Sequence, residues 1–126
     1  MIECILDTNI LIRYLIRDDT LLLEKAKEIF KEIEEGKKRG FISILVIDEA
    51  VWVLENYYKL PRRTYLPKIL ELFALKEIKI MELQKEILFL ILKKMQNTNI
   101  DFTDLYLFYT AGKKTILTFD QKLKKL

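Results

Sequence analysis

Four acidic residues stand where a carboxylate could take part in chemistry. Asp7 and Asp120 each follow directly on a short apolar run, Glu49 lies inside a strongly apolar stretch, and Asp104 precedes another. Carboxylates without histidine or cysteine ligands suit the hard cations Mg²⁺ and Mn²⁺. Bound ions of this kind activate water and stabilise the leaving oxygen in phosphodiester hydrolysis. The sequence therefore predicts metal-dependent hydrolysis, provided that the fold brings these side chains together.

The chain contains no histidine and a single cysteine, Cys4. Without histidine it cannot hold a Ser-His-Asp triad, a histidine general base or a histidine-ligated metal. A single cysteine forms neither an internal disulfide nor a zinc cluster, which fits a reducing cytoplasm. Catalysis is therefore left to carboxylates, lysine, tyrosine or hydroxyl groups.

Length and composition indicate one domain that covers residues 1–126. Hydrophobic residues make up 51% of the chain, enough for a core, and the net charge of +3 permits a nucleic-acid partner without establishing one. The first residues include acids instead of the basic and apolar pattern of a signal peptide. Apolar runs such as residues 87–92 are much shorter than the roughly 20 residues that a membrane-spanning helix needs. We expect a soluble, cytoplasmic protein with no membrane contact.

Short apolar runs alternate with segments of helical periodicity. The predicted strands are residues 2–6, 41–45 and 115–119, with a possible short strand at 79–81. The predicted helices are a segment from residue 10 onward, 20–36, 47–58, 66–75, 84–95 and 101–111, followed by a basic turn after Asp120. This alternation predicts an α/β fold with a parallel sheet covered on both faces, because parallel strands need crossover connections. Ligands of such sheets bind beyond the carboxyl ends of the strands, where Asp7, Glu49 and Asp120 are expected.

Each acid also has a purely structural interpretation. Asp7 and Asp120 are favourable residues for a turn or for the start of a helix. Asp101 and Asp104 have the spacing of a helix cap and its acidic partner, and the helix dipole favours negative charge there. Capping is our preferred interpretation for Asp101. Asp104 is harder to explain in this way, because the helix that follows it is so apolar that its start should be buried.

Glu49 has the surroundings least suited to a charge. The side chains one helical turn further on, Trp52 and Val53, place its carboxylate on an apolar stripe. No lysine or arginine lies within a helical turn, and an unpaired buried carboxylate is costly. Glu49 is therefore expected to meet a metal cation, or else a lysine supplied by a distant part of the fold.

Four motifs together resemble the PIN domain family and, more narrowly, the VapC-type ribonuclease toxins of toxin-antitoxin pairs. They are Asp7-Thr8-Asn9 after the first strand, Glu49 within residues 46–55, Asp104 within residues 101–105, and Thr118-Phe119-Asp120 near the C-terminus. The resemblance implies a three-layer α/β/α sandwich with a central, mostly parallel sheet. It also implies a Mg²⁺-dependent endoribonuclease that tolerates Mn²⁺. Its catalytic and metal-binding residues would be Asp7, Glu49, Asp104 and Asp120, supported by Thr8, Asn9 and Thr118.

The same resemblance implies partners for the chain. VapC-like proteins are commonly homodimers, and a small antitoxin protein inhibits them by placing its tail in the acidic groove. Where relatives often carry a further acid after the last aspartate, this chain has Gln121, Lys122, Leu123 and Lys124. Whether one or two metal ions bind is therefore left open.

An RNA substrate needs contacts other than the acids, since carboxylates repel phosphate. The basic candidates are Arg13, Arg17, Arg62 and Arg63, with Lys59, Lys113 and Lys114 as further possibilities. Neutralisation of phosphates by such residues would make binding dependent on salt and largely indifferent to base sequence. We expect most of these side chains to be ordinary solvated surface charges.

Two other functions compete with the nuclease. The first is a PIN-like module that binds RNA or a protein and has lost turnover. The second is a small phosphatase of the haloacid-dehalogenase type with Asp7 as nucleophile. The phosphatase is disfavoured, because Asn9 occupies the position where those enzymes usually need a second aspartate.

Overall fold

Three short parallel strands form the centre of the computed structural model, which describes residues 1–126. They are β1 (Ile2–Ile5), β2 (Lys38–Ile42) and β3 (Ile78–Ile80), in the spatial order β1-β2-β3. Gly40 of β2 stands beside Cys4 of β1 on one side and Ile78 of β3 on the other. Because all three strands run in the same direction, their carboxyl ends share one edge of the sheet.

Seven α-helices and one π-helical segment surround this sheet. They are α1 (Thr8–Ile16), α2 (Thr20–Glu34), α3 (Ile44–Trp52) with its π-helical continuation (Val53–Tyr57), α4 (Arg62–Phe73), α5 (Lys85–Asn97), α6 (Phe102–Thr110) and α7 (Gln121–Lys124). Helical segments connect each strand to the next, as parallel strands require. The architecture is an α/β sandwich, which confirms the predicted fold class. No helix is both long enough and apolar enough to span a bilayer.

The predicted strand at residues 115–119 is wrong. This segment joins no sheet, and its side chains Leu117 and Phe119 are 92% and 98% exposed. The alternation of threonine with apolar residues has high β-propensity, but such propensity mainly expresses packing against neighbouring strands, which this segment does not have. As a result β1 is an edge strand, and Asp120 does not follow a strand as expected.

The predicted boundary between the second strand and the next helix is also displaced. Strand β2 ends at Ile42, and α3 begins at Ile44 instead of residue 47. Ser43 causes the early start, because its side-chain Oγ accepts a hydrogen bond from the backbone N–H of Leu45 at 3.1 Å.

The core contains aliphatic and aromatic side chains from the strands and from six of the helices. Gly40 lies at its most crowded point. A Cβ atom there would stand 3.0 Å from the side chains of Leu6 and Ile33 and 3.1 Å from that of Ile78. The absent side chain thus lets the end of β1, helix α2 and strand β3 pack closely on the middle strand.

Candidate functional site

Asp7 stands at the shared carboxyl edge of the sheet. Strand β1 ends at Ile5, Leu6 enters the core, and Asp7 caps helix α1 by accepting a hydrogen bond from Thr8 N through Oδ1 at 2.7 Å. Its carboxylate is exposed, whereas the side chain of Thr8 is buried. The capping interpretation of Asp7 is correct, and it leaves Oδ2 without a hydrogen bond from the protein.

Glu49 lies in the second turn of α3, and the start of that helix is fixed from a distant part of the chain. The carboxylate of Glu82 accepts hydrogen bonds from Ile44 N at 2.7 Å through Oε1 and from Ser43 Oγ at 2.5 Å through Oε2. Glu49 lies beside Trp52 and Val53 as expected, but the expectation that its carboxylate would be buried there is wrong. Its side chain is exposed, because its face of α3 forms the wall of an open groove.

Two open grooves meet at Glu49. The first groove has a volume of about 430 Å³ and is lined by Asp7, Thr8, Asn9, Ile12, Arg13, Glu49, Trp52, Val53, Tyr57 and Tyr58. The second groove, of about 700 Å³, is lined by Leu45, Asp48, Glu49, Val51, Trp52, Glu55, Asn56, Asp101, Phe102, Thr103 and Asp104. Glu49 and Trp52 belong to both. Three of the four predicted acids therefore lie along one continuous surface beyond the carboxyl ends of β1 and β2.

Asp104 is half-buried in the first turn of α6. Burial raises the pKa of its carboxyl above the ordinary value, and the negative charges of Asp120 and Asp101 raise it further, while Lys122 acts in the opposite direction. The prediction of a charge at a partly buried helix start is confirmed. The charge of Asp120 thus acts on Asp104, although Asp120 lines neither groove.

Asp120 is held in place by the start of α7. Its Oδ1 accepts hydrogen bonds from Lys122 N at 2.8 Å and Leu123 N at 3.1 Å, so it caps this short helix. Its own backbone N–H donates to Thr118 Oγ1 at 3.0 Å. Thr118 thus orients Asp120 through the backbone. Because the carboxylate is fixed by a helix cap, its position does not depend on the expected strand.

The acids are of the right chemical type for magnesium, but the fit is incomplete. No group of three or more acidic side chains or cysteine comes close enough together to hold a metal ion. Asp7, Glu49, Asp104 and Asp120 also form no ion pair, since no lysine or arginine nitrogen lies within 4.0 Å of any of them. The structure brings Asp7, Glu49 and Asp104 to adjoining grooves and leaves Asp120 outside both, without joining the four acids around one ion.

The four predicted substrate-binding arginines are not equally placed. Arg13 lines the first groove and pairs with Asp18, at 3.1 Å between Nη1 and Oδ1. Arg17 faces a separate cleft between α1, α2 and α4, with its guanidinium 5.8 Å from the centre of the Tyr14 ring. Arg63 is exposed on α4 and lines neither groove. Of these three, only Arg13 stands beside the acids.

Arg62 is occupied by contacts within the protein. Its Nη1 donates to the backbone carbonyls of Thr98 at 3.0 Å and Met95 at 3.3 Å at the end of α5. Its Nε donates to Glu55 Oε2 at 3.2 Å, and its Nη2 lies 3.8 Å from Asp101 Oδ1. Arg62 thus links the π-helical segment to the ends of α5 and α6, which leaves it poorly placed to bind a substrate.

Three residues of this region, Glu82, Trp52 and Tyr57, were not predicted from the sequence to belong to the site. Glu82 caps α3 across 38 positions of sequence, a distance that no local pattern reports. Trp52 and Tyr57 are 62% and 73% exposed, whereas the periodicity of their segment predicts a buried apolar helix. The π-helical turn that contains Tyr57 has no recognisable signal in the sequence, so its exposure could not be derived.

Comparison with known proteins supplies the remaining observation. No characterised protein and no solved structure shows a significant match to the chain. The sequence profile of the PIN domain family, in contrast, matches residues 4–126. This match includes all four acidic motifs and nearly the whole sandwich, so the chain belongs to the PIN domain family.

Proposed function

We propose that this protein is a Mg²⁺-dependent endoribonuclease, with Mn²⁺ as a substitute ion. PIN domains are generally nucleases. The single observation that carries the proposal is that Asp7, Glu49 and Asp104 lie along two adjoining grooves and that none of them forms an ion pair. Carboxylates kept free of basic partners remain available to a cation.

The proposed catalytic and metal-binding residues are Asp7, Glu49, Asp104 and Asp120. Thr8, Asn9 and Thr118 support them, and Thr118 has a defined contact because its hydroxyl accepts from the backbone of Asp120. Among the predicted substrate-binding residues, Arg13 has the best-supported role, since it lines the first groove. Because the acids stand at separate neighbouring positions, they must move closer together when the ion binds.

Cleavage of RNA by the purified chain tests this proposal. Wild-type protein should hydrolyse RNA when Mg²⁺ is present and lose activity in EDTA. Asp7→Asn and Glu49→Gln should each lower the rate by about 100-fold or more, because each removes a charge that the reaction uses. Glu86→Gln is a matched control, since Glu86 is exposed on α5, makes no ion pair and lines neither groove. Activity that survives both site substitutions would contradict the assignment.

A second candidate is a PIN-like module that binds RNA or a protein without turnover. The observation that favours it is the incomplete metal site, in which no three acids share an ion. Binding of RNA without cleavage across Mg²⁺ and Mn²⁺ concentrations would support this candidate over the nuclease. A rise in melting temperature with Mg²⁺ that Asp104→Asn abolishes would support the nuclease, because it reports an ion held by the acids.

At a finer level we propose a VapC-type toxin that acts in the cytoplasm as a homodimer of single-domain chains. Its inhibitor would be a small antitoxin protein whose tail enters the acidic grooves. The support is the resemblance of the four acidic motifs to those of VapC-type toxins. The test is whether the product of a short neighbouring reading frame co-purifies with the chain and inhibits its cleavage of RNA. Absence of such a protein would remove the toxin role and leave the nuclease unaffected.

A further inference from the structure

Two aromatic side chains lie exposed beside the acids. Trp52 is 62% exposed and lines both grooves next to Glu49, and Tyr57 is 73% exposed and lines the first groove. Large exposed aromatic surface next to polar groups is typical of a binding site, because leaving it in water is unfavourable. These two side chains have no role in the core.

The π-helical segment helps to place both aromatic rings on one groove. In a regular α-helix, residues five positions apart point about 140° away from each other. In a π-helical turn, where hydrogen bonds run from residue i to i+5, residues five positions apart are separated by close to one full turn and therefore point in similar directions. Such a bond joins Tyr58 N to Val53 O at 3.1 Å, and Asn56 Nδ2 also donates to Trp52 O at 3.0 Å. The widened turn thus lets Tyr57 share the groove with Trp52.

Tyr57 is also supported from behind. The ring of Tyr58 meets it edge to face, with ring centres 4.9 Å apart and an angle of 80° between the ring planes. The hydroxyl of Tyr58 in turn donates a hydrogen bond to Asp18 Oδ2 at 3.3 Å, and Asp18 forms an ion pair with Arg13. A supported ring loses little freedom when a flat ligand stacks on it.

The charges of the grooves select the part of an RNA that can bind to these rings. The carboxylates repel phosphate, and three of the four predicted arginines line neither groove. Binding energy must therefore come largely from parts of the substrate that carry no charge. Nucleobases are such parts, and they stack on aromatic side chains when they are unpaired.

We propose that Trp52 and Tyr57 form a stacking platform for unpaired bases of the RNA substrate. The proposal rests on the proposed function, since it places the bases beside the acids that would act on the phosphate. Arg13, in the same groove, supplies the positive charge for a flanking phosphate. The open shape of the groove suits a flat base stacked on its wall better than a deeply inserted side chain.

Trp52 is the single tryptophan of the chain, so its fluorescence reports directly on this surface. The wild-type protein is titrated in EDTA, at one fixed salt concentration, with octa-adenylate, with the same octamer in a duplex, and with an abasic octamer of equal charge. Octa-adenylate should quench the fluorescence and bind at least about tenfold more tightly than the other two. Equal binding of the abasic octamer would overturn the proposal, because phosphate alone would then explain the affinity.

Variants separate the platform from the nuclease. With a labelled octa-adenylate, Trp52→Ala should weaken binding about 5- to 100-fold, whereas Trp52→Phe should keep most of it. Leu90→Ala is the matched control, since Leu90 is 51% exposed on α5 outside both grooves. Circular dichroism checks that each variant is folded.

The two proposals fail in different ways. Cleavage by Trp52→Ala with an unchanged KM would overturn the platform and leave the nuclease standing. Quenching that depends on the bases, with no cleavage in any divalent ion, would overturn the nuclease and leave the platform standing. If Trp52 emission shifts to the blue as the protein concentration rises, the aromatic surface joins two copies of the chain. If an antitoxin-like protein buries Trp52 and RNA does not compete, the surface binds protein. Either result would overturn the platform.

Discussion

The side chain of Asp104 lies where burial and neighbouring negative charges both disfavour its charged form. Burial raises the pKa of Asp104, and the charges of Asp120 and Asp101 raise it further. A folded protein that holds such a group is less stable than it would be with a neutral residue of similar shape. Charges of this kind are common where function requires them, because a bound cation removes the repulsion.

We predict that Asp104→Asn stabilises the protein when no metal is present. The substitution removes the repulsion from Asp120 and Asp101 with almost no change in shape, so the melting temperature at neutral pH in EDTA should rise by up to a few degrees. Mg²⁺ should stabilise the wild type and have little effect on the variant. Differential scanning calorimetry measures both effects.

Glu86→Gln serves as the comparison for Asp104→Asn, since Glu86 has no acidic cluster around it to relieve. A wild-type melting temperature that does not respond to Mg²⁺ would show that Asp104 holds no ion. A less stable Asp104→Asn would show that the carboxylate is held by favourable contacts.

The predicted acids differ in how well the sequence described their surroundings. Asp104 was correctly expected to be partly buried, because the apolar residues after it require a buried helix start. Glu49 was expected to be buried by the same reasoning, yet it is exposed. Periodicity identifies the apolar stripe of a helix but not whether another element covers it, and here an open groove lies against the stripe at Trp52.

At the level of elements, helix α3 is positioned by a residue from after β3. Glu82 accepts hydrogen bonds from Ile44 N and Ser43 Oγ, so its carboxylate satisfies the first turn of α3 and stabilises the positive end of the helix dipole. Because α3 carries Glu49 and Trp52, Glu82 is a positioning residue for both grooves.

Loss of this contact should affect stability and activity together. Glu82→Ala should lower the free energy of unfolding by about 1 kcal/mol, the usual cost of losing a helix cap. If Glu49 and Trp52 act as proposed, kcat should fall and KM should rise, since α3 carries both residues. Urea unfolding and steady-state kinetics measure these effects.

A control for Glu82→Ala comes from the neighbouring helix. Glu86→Ala removes an exposed carboxylate that makes no ion pair and no cap, so both quantities should stay close to wild type. If Glu82→Ala is destabilised and its kcat is unchanged, the cap stabilises α3 without positioning the site.

Elements could be predicted from the sequence where they carry their own signals. Helix α2 was predicted over residues 20–36 from its continuous apolar face, and the structure confirms it over Thr20–Glu34. The absence of a strand at residues 115–119 and the π-helical turn at Val53–Tyr57 could not be predicted in the same way. Both depend on contacts that are not local: the first on a partner strand, and the second on how the chain leaves α3.

Across the whole molecule, ion pairs join separate elements of the fold. The clearest example crosses the entire sheet. Arg39 of β2 lies between Glu3 of β1, at 3.6 Å, and Glu77 just before β3, at 2.8 Å. The parallel register makes these residues neighbours, since Glu3 pairs with Arg39 and the next residues, Gly40 and Ile78, pair in turn. The two ion pairs of Arg39 thus link the three strands whose carboxyl ends lie beside the grooves.

The charge of Glu77 should therefore contribute to stability in a pH-dependent way. Its hydrogen bond to Arg39 holds the pKa of Glu77 below its ordinary value; burial opposes this effect, and the positive charge of Arg39 adds to it. A carboxyl whose pKa is lower in the folded state stabilises the fold above its unfolded pKa. That contribution is lost as the pH falls through the lower, folded pKa.

We predict that Glu77→Gln is less stable than wild type at pH 7 and that the difference shrinks under acid conditions. Urea unfolding at a series of pH values measures it, and Glu71→Gln is the control, since Glu71 is exposed on α4 and makes no ion pair. A deficit that stays constant down to the lowest pH would mean that Glu77 acts through packing instead of charge. A deficit that follows pH would show that the ion pairs of Glu3, Arg39 and Glu77 join the strands electrostatically.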